Sequence, residues 1–575
     1  MQEPRREYER WLREFAADTD LKKELLAIAK DEAEIRSRFG EGLRFGTAGL
    51  RGRLGFGPAR MNAYVVRRAT QGLADCLLAG GDAAAGVAIA YDSRRFSRLF
   101  AEETARVLCG NGIRAYLFPH LAPVPLLSFA VRALGCAAGV VITASHNPKE
   151  YNGYKVYGRD GGQLPPEEAE AIFRAIEGHP YGEGRRMELE QAEGEGLLCY
   201  IAQELEDAYA EKVKALSLSP GLCRQMGAEL PIVYSPLNGT GNVPLRRVLG
   251  EMGFMKLYVV PEQENPDPDF STVGAAPNPE KPEAYALARA LAERVGAKLV
   301  LATDPDADRL GCLAQDKQGE FHVLTGNQIG CLLLNHILSS RSAAGTLPPN
   351  GAVVQSLVST KMPEKIAARY GAQVFEVLTG FKFIAEKIEE FEKSGEYAFL
   401  FGFEESYGYL AGSFVRDKDA VAAALLLAET AAAYAREGLS LWEGLQALYA
   451  EYGHFAERTV SKEMRQGEEG RQAVAAIMAA LRAEPPKALG GRAVLARRDY
   501  LSCLRTQSAP QGGEKGEERL KMPPSDVLYY EMEGAWACVR PSGTEPLIKF
   551  YAGASAKGQA EAEGLVAAIL RDLSE

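Results

Sequence analysis

Residues 298–309, KLVLATDPDADR, decide the fold class of this chain. A short apolar, β-branched run ends abruptly in a polar loop that contains proline, which is the pattern of a buried strand followed by a turn. The same plan recurs in VAIAYDSR (87–94), AGVVITASHNP (138–148) and LPIVYSPLNGTG (230–241). Helical stretches such as EAYALARALAERVGA lie between these runs. Alternating strands and helices predict parallel α/β layers, in which ligands bind at the loops that leave the carboxyl ends of strands.

The chain is too long for one hydrophobic core, since its 575 residues exceed the size at which single cores stop growing. Renewed strand and helix patterns place domain boundaries near residues 215, 325 and 455. The last segment differs, because VLYYEMEGAWACVRPSGTEPLIKFYAGA (527–554) has the pattern of strand pairs in an α+β arrangement. We therefore expect about three to five domains, of which the last is α+β.

Four stretches stand apart from this plan. Residues 1–40 alternate apolar and charged positions at helical spacing, which predicts an amphipathic lead-in helix or pair of helices. The most apolar stretch, AVAAALLLAETAAAYA (420–435), is too short to span a bilayer and predicts a buried helix. Polar residues dominate 181–197 and 507–525, and we expect mobile surface insertions without core residues there.

The composition is that of an ordinary soluble globular protein, with 46% hydrophobic and 25% charged residues. A net charge of −11 opposes binding to nucleic acid and to anionic membranes, because the field of the protein repels phosphate polymers. Nine widely spaced cysteines without a CxxC pair suit a reducing compartment, and the charged first residues, MQEPRREYERWLREF, do not form a signal peptide. We expect a cytoplasmic protein in which a phosphorylated small molecule would need a locally basic cleft.

The first candidate for chemistry is TASHNP (143–148), which follows the run GVVI directly. A serine at a strand end before an Asn-Pro turn is expected to lie on a tight loop with its hydroxyl exposed. Such a hydroxyl needs a neighbouring base or metal to act as a nucleophile. The continuation YNGYKVY (151–157) places Lys155 where a second cationic group could join Ser145. The alternative is a plain turn with a capping serine.

The second candidate is the loop that contains Asp304, Asp306 and Asp308. Carboxylates at alternate positions of an extended loop can point to one side and surround a hard cation with oxygen. A calcium EF-hand loop is excluded, because it needs glycine at its sixth position and glutamate at its twelfth, where Arg309 and Gln315 stand. Mg²⁺ suits a site with few protein ligands that completes its shell with phosphate oxygens. A solvated acidic turn is the weaker interpretation.

Three further segments carry weaker signals. The glycine-bounded GFEESYG (402–408) offers carboxylates and a hydroxyl for sugar hydroxyls, and Lys418 follows closely. The segment RPSGTEP (540–546) combines a guanidinium, two hydroxyls and an open backbone, which is how loops hold a phosphate; alone, it is an ordinary turn. The segment FGTAGLRG (45–52) lacks the strand-first pattern of a dinucleotide site.

Taken together and in this order, TASHNP, DPDADR, FEES and RPSGTEP resemble the phosphoserine, metal, sugar and phosphate loops of the α-D-phosphohexomutase family. The resemblance runs from about Gly46 to Tyr551, and the opening GTAGLRG is most similar to the longer phosphoglucomutase and phosphopentomutase branch. It implies three similar α/β domains with mixed or parallel sheets and a smaller C-terminal α+β domain around a central cleft. The implied domains are 1–215 with the phosphoserine loop, 216–325 with the metal loop, 326–455 with the sugar loop and 456–575 with the phosphate loop.

The resemblance also implies roles for the matching residues. Ser145 would be the phosphoserine, and its phosphate would share one Mg²⁺ with Asp304, Asp306 and Asp308. Proton transfer and charge stabilisation would fall to Arg51, His146, Lys155 and the cleft lysine Lys418. The substrate would contact Arg309 at the reacting phosphate, Thr379, Gly380, Lys382, Glu404 and Ser406 at the sugar, and Arg540, Ser542, Gly543 and Thr544 at the other phosphate.

The implied activity is that of a phosphoglucomutase with glucose 1,6-bisphosphate as activator and intermediate. Phosphopentomutase and phosphomannomutase activity are the alternatives within the family. A mannose preference is less supported, because Tyr407, Gly408 and Tyr409 stand where bacterial phosphomannomutases often carry a histidine. Two alternatives from other function classes are less supported. A metal phosphatase ordinarily needs more metal ligands, including histidines, than this sequence offers. A catalytically silent sugar-phosphate-binding protein would not need Ser145, Lys155 and the three aspartates, which are all present. The sequence leaves the oligomeric state open.

Overall fold

The structure of the chain, a computed structural model, describes residues 2–46, 49–465, 468–508, 514–542 and 547–575. Its strands form four sheets that follow one another along the chain. The first three sheets are mixed and carry helices, and the fourth is antiparallel throughout. The predicted fold class, three α/β units followed by a C-terminal α+β unit, is thereby confirmed.

The first unit contains a six-stranded sheet in the order β1-β5-β4-β2-β3-β6. Its strands are β1 (Leu50–Arg53), β2 (Val87–Tyr91), β3 (Ala115–Leu117), β4 (Ala138–Ile142), β5 (Tyr151–Tyr157) and β6 (Leu198–Tyr200). Its helices are α1 (Gln2–Glu14), α2 (Thr19–Ala27), α3 (Glu32–Phe39), α4 (Ala63–Gly80), α5 (Ser97–Gly110), α6 (Val124–Leu134), α7 (Pro166–Glu177) and α8 (Leu189–Gly194). The strands β4, β2, β3 and β6 run parallel, while β5 and β1 run antiparallel to their neighbours.

The second and third units repeat this plan with five and four strands. The second consists of α9 (Gln203–Lys214), α10 (Pro220–Gly227), β7 (Ile232–Ser235), α11 (Asn242–Glu251), β8 (Leu257–Val259), α12 (Pro261–Glu264), α13 (Ala286–Val295), β9 (Leu299–Thr303), β10 (Leu310–Gln315) and β11 (Phe321–Leu324). The third consists of α14 (Gly326–Ala343), β12 (Gly351–Ser356), α15 (Met362–Tyr370), β13 (Gln373–Val377), α16 (Phe381–Ser394), β14 (Ala398–Glu404), β15 (Gly408–Leu410), α17 (Ala420–Arg436) and α18 (Leu441–Tyr452).

The three mixed sheets share one topology. The shared strand orders are β5-β4-β2-β3, β10-β9-β7-β8 and β15-β14-β12-β13. In each unit, the third parallel strand along the chain lies between the first parallel strand and an antiparallel return strand. The turn into the return strand therefore starts at the carboxyl end of a buried parallel strand in each unit. The loops with Ser145, the three aspartates and Glu404 occupy these equivalent turns.

The fourth unit is built on an antiparallel sheet in the order β16-β23-β22-β21-β18-β19-β20, with β17 paired to β18. Its elements are β16 (His454–Glu463), α19 (Glu468–Ala483), β17 (Ala488–Leu489), β18 (Arg492–Asp499), β19 (Leu504–Ser508), β20 (Glu514–Arg519), β21 (Leu528–Met532), β22 (Ala535–Pro541), β23 (Leu547–Ala556) and α20 (Gln559–Ser574). The strand pairs predicted over 527–554 are confirmed for the described residues. The domain boundaries at residues 215, 325 and 455 stay predictions.

Packing explains where the sequence pattern was right and where it was incomplete. The apolar stretch 420–435 forms the buried helix α17, as expected. The lead-in consists of three helices, which bury Trp11 and Phe39 in a small core of their own. The stretch 181–197 contains α8 with a buried Ala192, so it is not without core residues as expected. In the stretch 507–525, residues 509–513 lie outside the described residues, and residues 514–519 form β20 of the fourth sheet. The mobility expected of both stretches stays a prediction. In the described part of the chain, no helix is long and apolar enough to cross a membrane.

Candidate active site

Ser145 lies in the turn between β4 and β5, in a left-handed backbone conformation with φ of 51°. Its N–H donates to Thr143 Oγ1 at 2.8 Å, which holds the turn closed. The hydroxyl was expected to be exposed, but Ser145 is only 5% exposed, because the turn packs against the loop of the second unit. The serine thus lies in an enclosed, polar space between the first and second units.

Two polar groups contact the Ser145 hydroxyl directly. Ser145 Oγ donates to Asp304 Oδ2 at 2.6 Å, and it lies 3.2 Å from His146 Nδ1. Burial, together with the positive charge of Arg309, lowers the pKa of His146 well below its ordinary value. The shift favours the neutral imidazole over the charged one, and a neutral ring offers one nitrogen as a hydrogen-bond acceptor.

The three predicted carboxylates come together on a tight turn, not on the extended loop that their spacing suggested. Ala307 has a φ of 49°, and its N–H donates to the Asp304 carbonyl at 2.9 Å. Each side chain is almost completely buried, and each offers an oxygen within 4.8 Å of the others. The left-handed residue in this turn brings the three carboxylates to one side, as the alternation of side chains would have done along an extended strand.

This cluster fits a hard cation. Asp306 Oδ1 and Asp308 Oδ1 are buried and have no hydrogen-bond partner in the described structure. Burial and the repulsion between neighbouring carboxylates raise the pKa of Asp304 well above its ordinary value and also raise that of Asp308. Unpaired buried oxygens with mutual repulsion are the arrangement that a divalent ion bound by oxygen would relieve.

Basic side chains surround the carboxylates. Lys155 Nζ donates to Asp306 Oδ2 at 2.9 Å, and Lys418 Nζ lies 3.0 Å from Asp308 Oδ2. Burial opposes both ammonium charges, but the carboxylates outweigh it and raise the pKa of each lysine. Burial likewise opposes ionisation of Asp306, yet Lys155 keeps its pKa below the ordinary value.

Two predicted arginines border this cluster. Arg309 donates from Nη1 to Glu280 Oε1 at 2.6 Å and from its backbone N–H to Asp304 Oδ1 at 3.0 Å. Arg51, exposed on β1, donates to Asn147 Oδ1 at 3.3 Å and so reaches the Ser145 loop from the side. Both guanidinium groups can meet an anion that approaches Ser145.

Glu404 ends β14, in the third of the equivalent turns. Its Oε1 accepts a hydrogen bond from Gly380 N at 2.7 Å, which joins the two predicted sugar loops. Burial and the charge of Glu405 raise the pKa of Glu404 to about 7. The left-handed residue here is Tyr407, with φ of 66°.

The sugar loop also touches the metal loop. Gly408 forms an antiparallel bridge with Arg309, and Leu310 N donates to the Tyr407 carbonyl at 3.1 Å. The Lys418 side chain crosses this bridge so closely that a Cβ on Gly408 would lie 2.2 Å from Lys418 Cδ. Glycine is therefore required at this crossing.

The remaining sugar-loop residues lie close by. Thr379 and Ser406 are half-buried, and Gly380 precedes α16 with φ of 127°. Lys382, in the first turn of α16, lies 4.7 Å from the Phe383 ring, and burial lowers the pKa of its ammonium.

Arg540 lies apart, on β22 of the fourth unit, opposite Lys549 of β23. Its Nε is buried and has no hydrogen-bond partner among the described residues. Burial and the charge of Arg540 lower the pKa of Lys549, so two cations lie together at this end of the sheet. Ser542 N donates to the Leu547 carbonyl at 2.7 Å across the turn. Gly543 and Thr544 fall outside the described residues.

Sequence reasoning missed three polar residues that organise this region. Asp417 accepts from Lys418 Nζ at 2.8 Å, Glu280 pairs with Arg309, and Arg94 hydrogen-bonds the Ser145 loop. The signal for Arg94 was its place directly after the strand VAIAY, at a carboxyl end like the other loops. Asp417 and Glu280 carried no pattern of their own.

Family models match all four units in order. Those described as phosphoglucomutase/phosphomannomutase, alpha/beta/alpha domains I, II and III, match residues 42–181, 207–319 and 325–452. The C-terminal domain of the same description matches residues 503–571.

Curated proteins and solved structures agree with these matches. The phosphoglucomutase of Staphylococcus haemolyticus is 37% identical over 510 residues, which cover 88% of this chain and 90% of that protein. The phosphoglucomutase of Staphylococcus aureus is 36% identical over 518 residues, 90% of each chain. The open form of parafusin, a phosphoglucomutase from Paramecium, shares the fold with a TM-score of 0.66 at 18% identity, and the match covers 93% of this chain and 94% of that one.

Proposed function

Because the chain belongs to the phosphoglucomutase/phosphomannomutase family, the α-D-phosphohexomutases, we propose that it interconverts glucose 1-phosphate and glucose 6-phosphate. It is an isomerase-type phosphotransferase. Glucose is the proposed sugar because the curated relatives that match most of the chain are phosphoglucomutases. The observation that carries the mechanism is the contact between Ser145 Oγ and Asp304, enclosed among basic side chains.

In the proposed cycle, phosphorylated Ser145 donates its phosphoryl group to the free hydroxyl of the bound hexose phosphate. The P–O bond to Ser145 breaks as the bond to the sugar oxygen forms, which gives glucose 1,6-bisphosphate. The proton lost by the sugar hydroxyl ends on Ser145 Oγ, and His146 is the proposed group that passes it on, because its Nδ1 lies 3.2 Å from that oxygen. The bisphosphate then reverses its orientation and returns its other phosphoryl group to Ser145.

Phosphoryl transfer asks the protein mainly for positioning and charge neutralisation. Lys155, Arg309 and Arg51 are proposed to neutralise the transferring group, because their charged ends border the Ser145 loop or the carboxylates beside it. Lys418 forms an ion pair with Asp308, and its aliphatic stem packs beside Gly408 in the predicted sugar loop.

Asp304, Asp306 and Asp308 are the proposed ligands of one Mg²⁺, which the Ser145 phosphate would share. When bound, this ion supplies positive charge to the phosphoryl oxygens. The proposal is supported by two buried carboxylate oxygens that accept no hydrogen bond from the described residues and by the repulsion within the cluster.

The sugar and the second phosphate are assigned to the other loops. Glu404 and Ser406 are proposed to bind sugar hydroxyls, with Thr379, Gly380 and Lys382 beside them. Arg540 is proposed to hold the phosphate that does not react, because its buried Nε has no hydrogen-bond partner among the described residues and Lys549 adds a second cation. Ser542, Gly543 and Thr544 complete that proposal from the sequence.

The test is an assay of the purified protein with glucose 1-phosphate, Mg²⁺ and a trace of glucose 1,6-bisphosphate. We expect formation of glucose 6-phosphate, phosphate on Ser145 alone by mass spectrometry, and no turnover in Ser145→Ala. Mannose 1-phosphate and ribose 1-phosphate, run in parallel, measure the phosphomannomutase and phosphopentomutase alternatives. Phosphate mapped to another serine, or release of free phosphate instead of isomerisation, would contradict the proposal.

A further inference from the structure

Arg94 is a fully buried arginine whose guanidinium donates several hydrogen bonds to the backbone of the Ser145 loop. Its Nη2 donates to the carbonyls of Ser145 and Asn147, the latter at 2.6 Å. Its Nη1 donates to the carbonyls of Pro148 and Tyr151, at 2.9 and 3.1 Å. One side chain thus satisfies four carbonyl groups along a single turn, which no other partner in the described structure does for this loop.

The same guanidinium touches the second unit. Its carbon lies 5.1 Å from the centre of the Phe270 ring, which is 3% exposed and has a left-handed φ of 46°. Asp267 fixes the turn around that ring by accepting from the backbone of Asp269 and Ser271 at 2.9 and 2.8 Å. Arg94 therefore lies between the Ser145 loop and a rigid turn of the unit that carries the three aspartates.

The geometry needs an arginine. A planar guanidinium offers donors in fixed directions and a flat face for an aromatic ring, whereas a lysine ammonium offers a single point of charge. The Ser145 turn also needs external support, because a non-glycine residue with positive φ is strained and persists only where its surroundings determine it.

We propose that Arg94 is a positioning residue for the reaction: it fixes the turn that carries Ser145 and holds that turn in register with the carboxylates of the second unit. The contact of 2.6 Å between Ser145 Oγ and Asp304 depends on this register, since the two residues belong to different units. The inference rests on the proposed role of Ser145 as phosphoryl carrier. Arg94 itself does not touch the reacting atoms.

Loosening the turn should slow phosphoryl transfer without weakening sugar binding. A misplacement of about 1 Å can cost roughly 100-fold in rate. The sugar loops contact neither Arg94 nor Phe270 in the described structure. In Arg94→Lys, kcat should therefore fall on the order of 100-fold while KM for glucose 1-phosphate stays within about twofold.

The matched control is Arg60→Lys. Arg60, in the segment between β1 and α4, is also buried, and it donates to the carbonyls of Ser37 and Ala59 and to Glu34, none of which belongs to the Ser145 loop. The same chemical change there should lower the melting temperature and leave kcat as in the wild type. Both variants are assayed below their melting temperatures, and the single-turnover rate of Ser145 phosphorylation by glucose 1,6-bisphosphate is followed by intact-mass spectrometry.

Wild-type turnover and an inactive Ser145→Ala establish the proposed function independently of Arg94. With those in place, a folded Arg94→Lys that phosphorylates Ser145 at the wild-type rate would overturn the inference, and so would an equal fall in Arg60→Lys. If Arg94→Lys does not fold, Phe270→Leu removes the ring face alone. That variant should lower kcat severalfold at unchanged KM, and an unchanged kcat there would count against the inference.

Discussion

At the scale of single residues, the site depends on charges held where water does not reach them. Burial raises the pKa of Glu404 to about 7, and repulsion raises that of Asp304. Such carboxyl groups oppose folding in their charged form unless a proton, a cation or a ligand compensates them. The free protein therefore carries a cost at its site that metal and substrate would relieve.

Glu404 offers a test of this cost through pH. Its folded pKa of about 7 lies above the ordinary 4.5, so its contribution to stability is complete below pH 4.5 and is lost as the pH rises through 7. Glu404→Gln cannot ionise and should gain stability relative to the wild type between pH 5 and pH 8, by up to about 3 kcal/mol. Urea unfolding of the wild type and the variant at pH 5 and pH 8, without metal or substrate, measures this difference in the free energy of unfolding. The exposed carboxylate change Glu437→Gln is the control, and an equal response in both variants would contradict the assignment.

Asp306 tests the metal proposal at the same scale. Asp306→Asn removes one charge from the proposed ligands, and activity should fall by orders of magnitude. The activity that remains should depend less on the Mg²⁺ concentration than that of the wild type. Added Mg²⁺ should raise the melting temperature of the wild type and raise that of the variant less. The control is Asp207→Asn, a half-buried position away from the three aspartates that pairs with Arg247 and Gln203, and it should respond to Mg²⁺ like the wild type. Full activity after exhaustive chelation would rule the metal out.

At the scale of elements, the informative unit is the turn between the third parallel strand and its antiparallel return strand. Each of the three turns contains a non-glycine residue with positive φ: Ser145, Ala307 and Tyr407. The turns follow β4, β9 and β14. The apolar, β-branched runs GVVI and KLVLAT predicted the first two of these strands together with the loops that follow them. The strand β14, AFLFGFE, has no β-branched residue and was not predicted, and residues 402–404, which were expected to belong to a glycine-bounded loop, form its end.

What could not be predicted at this scale depends on contacts far apart in the sequence. Lys418 pairs with Asp308 and Ser145 with Asp304 across two units. The contacts of Arg309 with Glu280 and of Arg94 with the Ser145 loop lie within one unit but join residues far apart in the sequence. The left-handed Ala307 also escaped, because alternating aspartates suggest an extended chain and nothing local marks the turn. Packing, not local preference, decides these features.

Gly408 is the element-scale prediction. Gly408→Ala would place a methyl group 2.2 Å from Lys418 Cδ, so the lysine stem must move away from Asp308 and Asp417. Overpacking of this kind typically costs about 1–3 kcal/mol, and kcat should fall with it. Gly564→Ala, in α20 with open space around it, should be neutral or slightly stabilising. Thermal melting and steady-state kinetics of both variants are the measurements, and a fully active Gly408→Ala would show that the crossing is not needed.

At the scale of the whole molecule, the chain divides into a contiguous body and a fourth unit. One apolar core passes through the first three units, from Leu127 through Leu245 to Leu426. The fourth unit has its own core, which includes Val539 and Ile548, and it also packs on the third unit through a second apolar cluster that joins Leu357 to Cys538. The proposed second phosphate site thus belongs to a unit that packs against the larger body, while Ser145 and the carboxylates belong to that body.

Arg540→Ala tests that division. KM for glucose 1-phosphate should rise by an amount equivalent to about 1.5–3 kcal/mol, the loss of a charge-assisted hydrogen bond. Phosphorylation of Ser145 by saturating glucose 1,6-bisphosphate should persist, because the chemistry lies in the other units. Arg540→Lys should restore binding only in part, since a point charge cannot replace the planar fork. An unchanged KM in Arg540→Ala would mean that the segment is an ordinary turn.

The shared topology of the three mixed sheets has a meaning for descent. A segment copied twice within one gene would pass on the same turn three times, already placed at the mouth of a parallel strand. Divergence would then have had only to change the side chains on each copy, into the proposed nucleophile in the first, carboxylates in the second and the groups proposed for a sugar ring in the third. A division of labour among duplicates would explain why one candidate site is spread over some 260 residues of chain, from Ser145 to Ser406, yet uses only one kind of backbone turn.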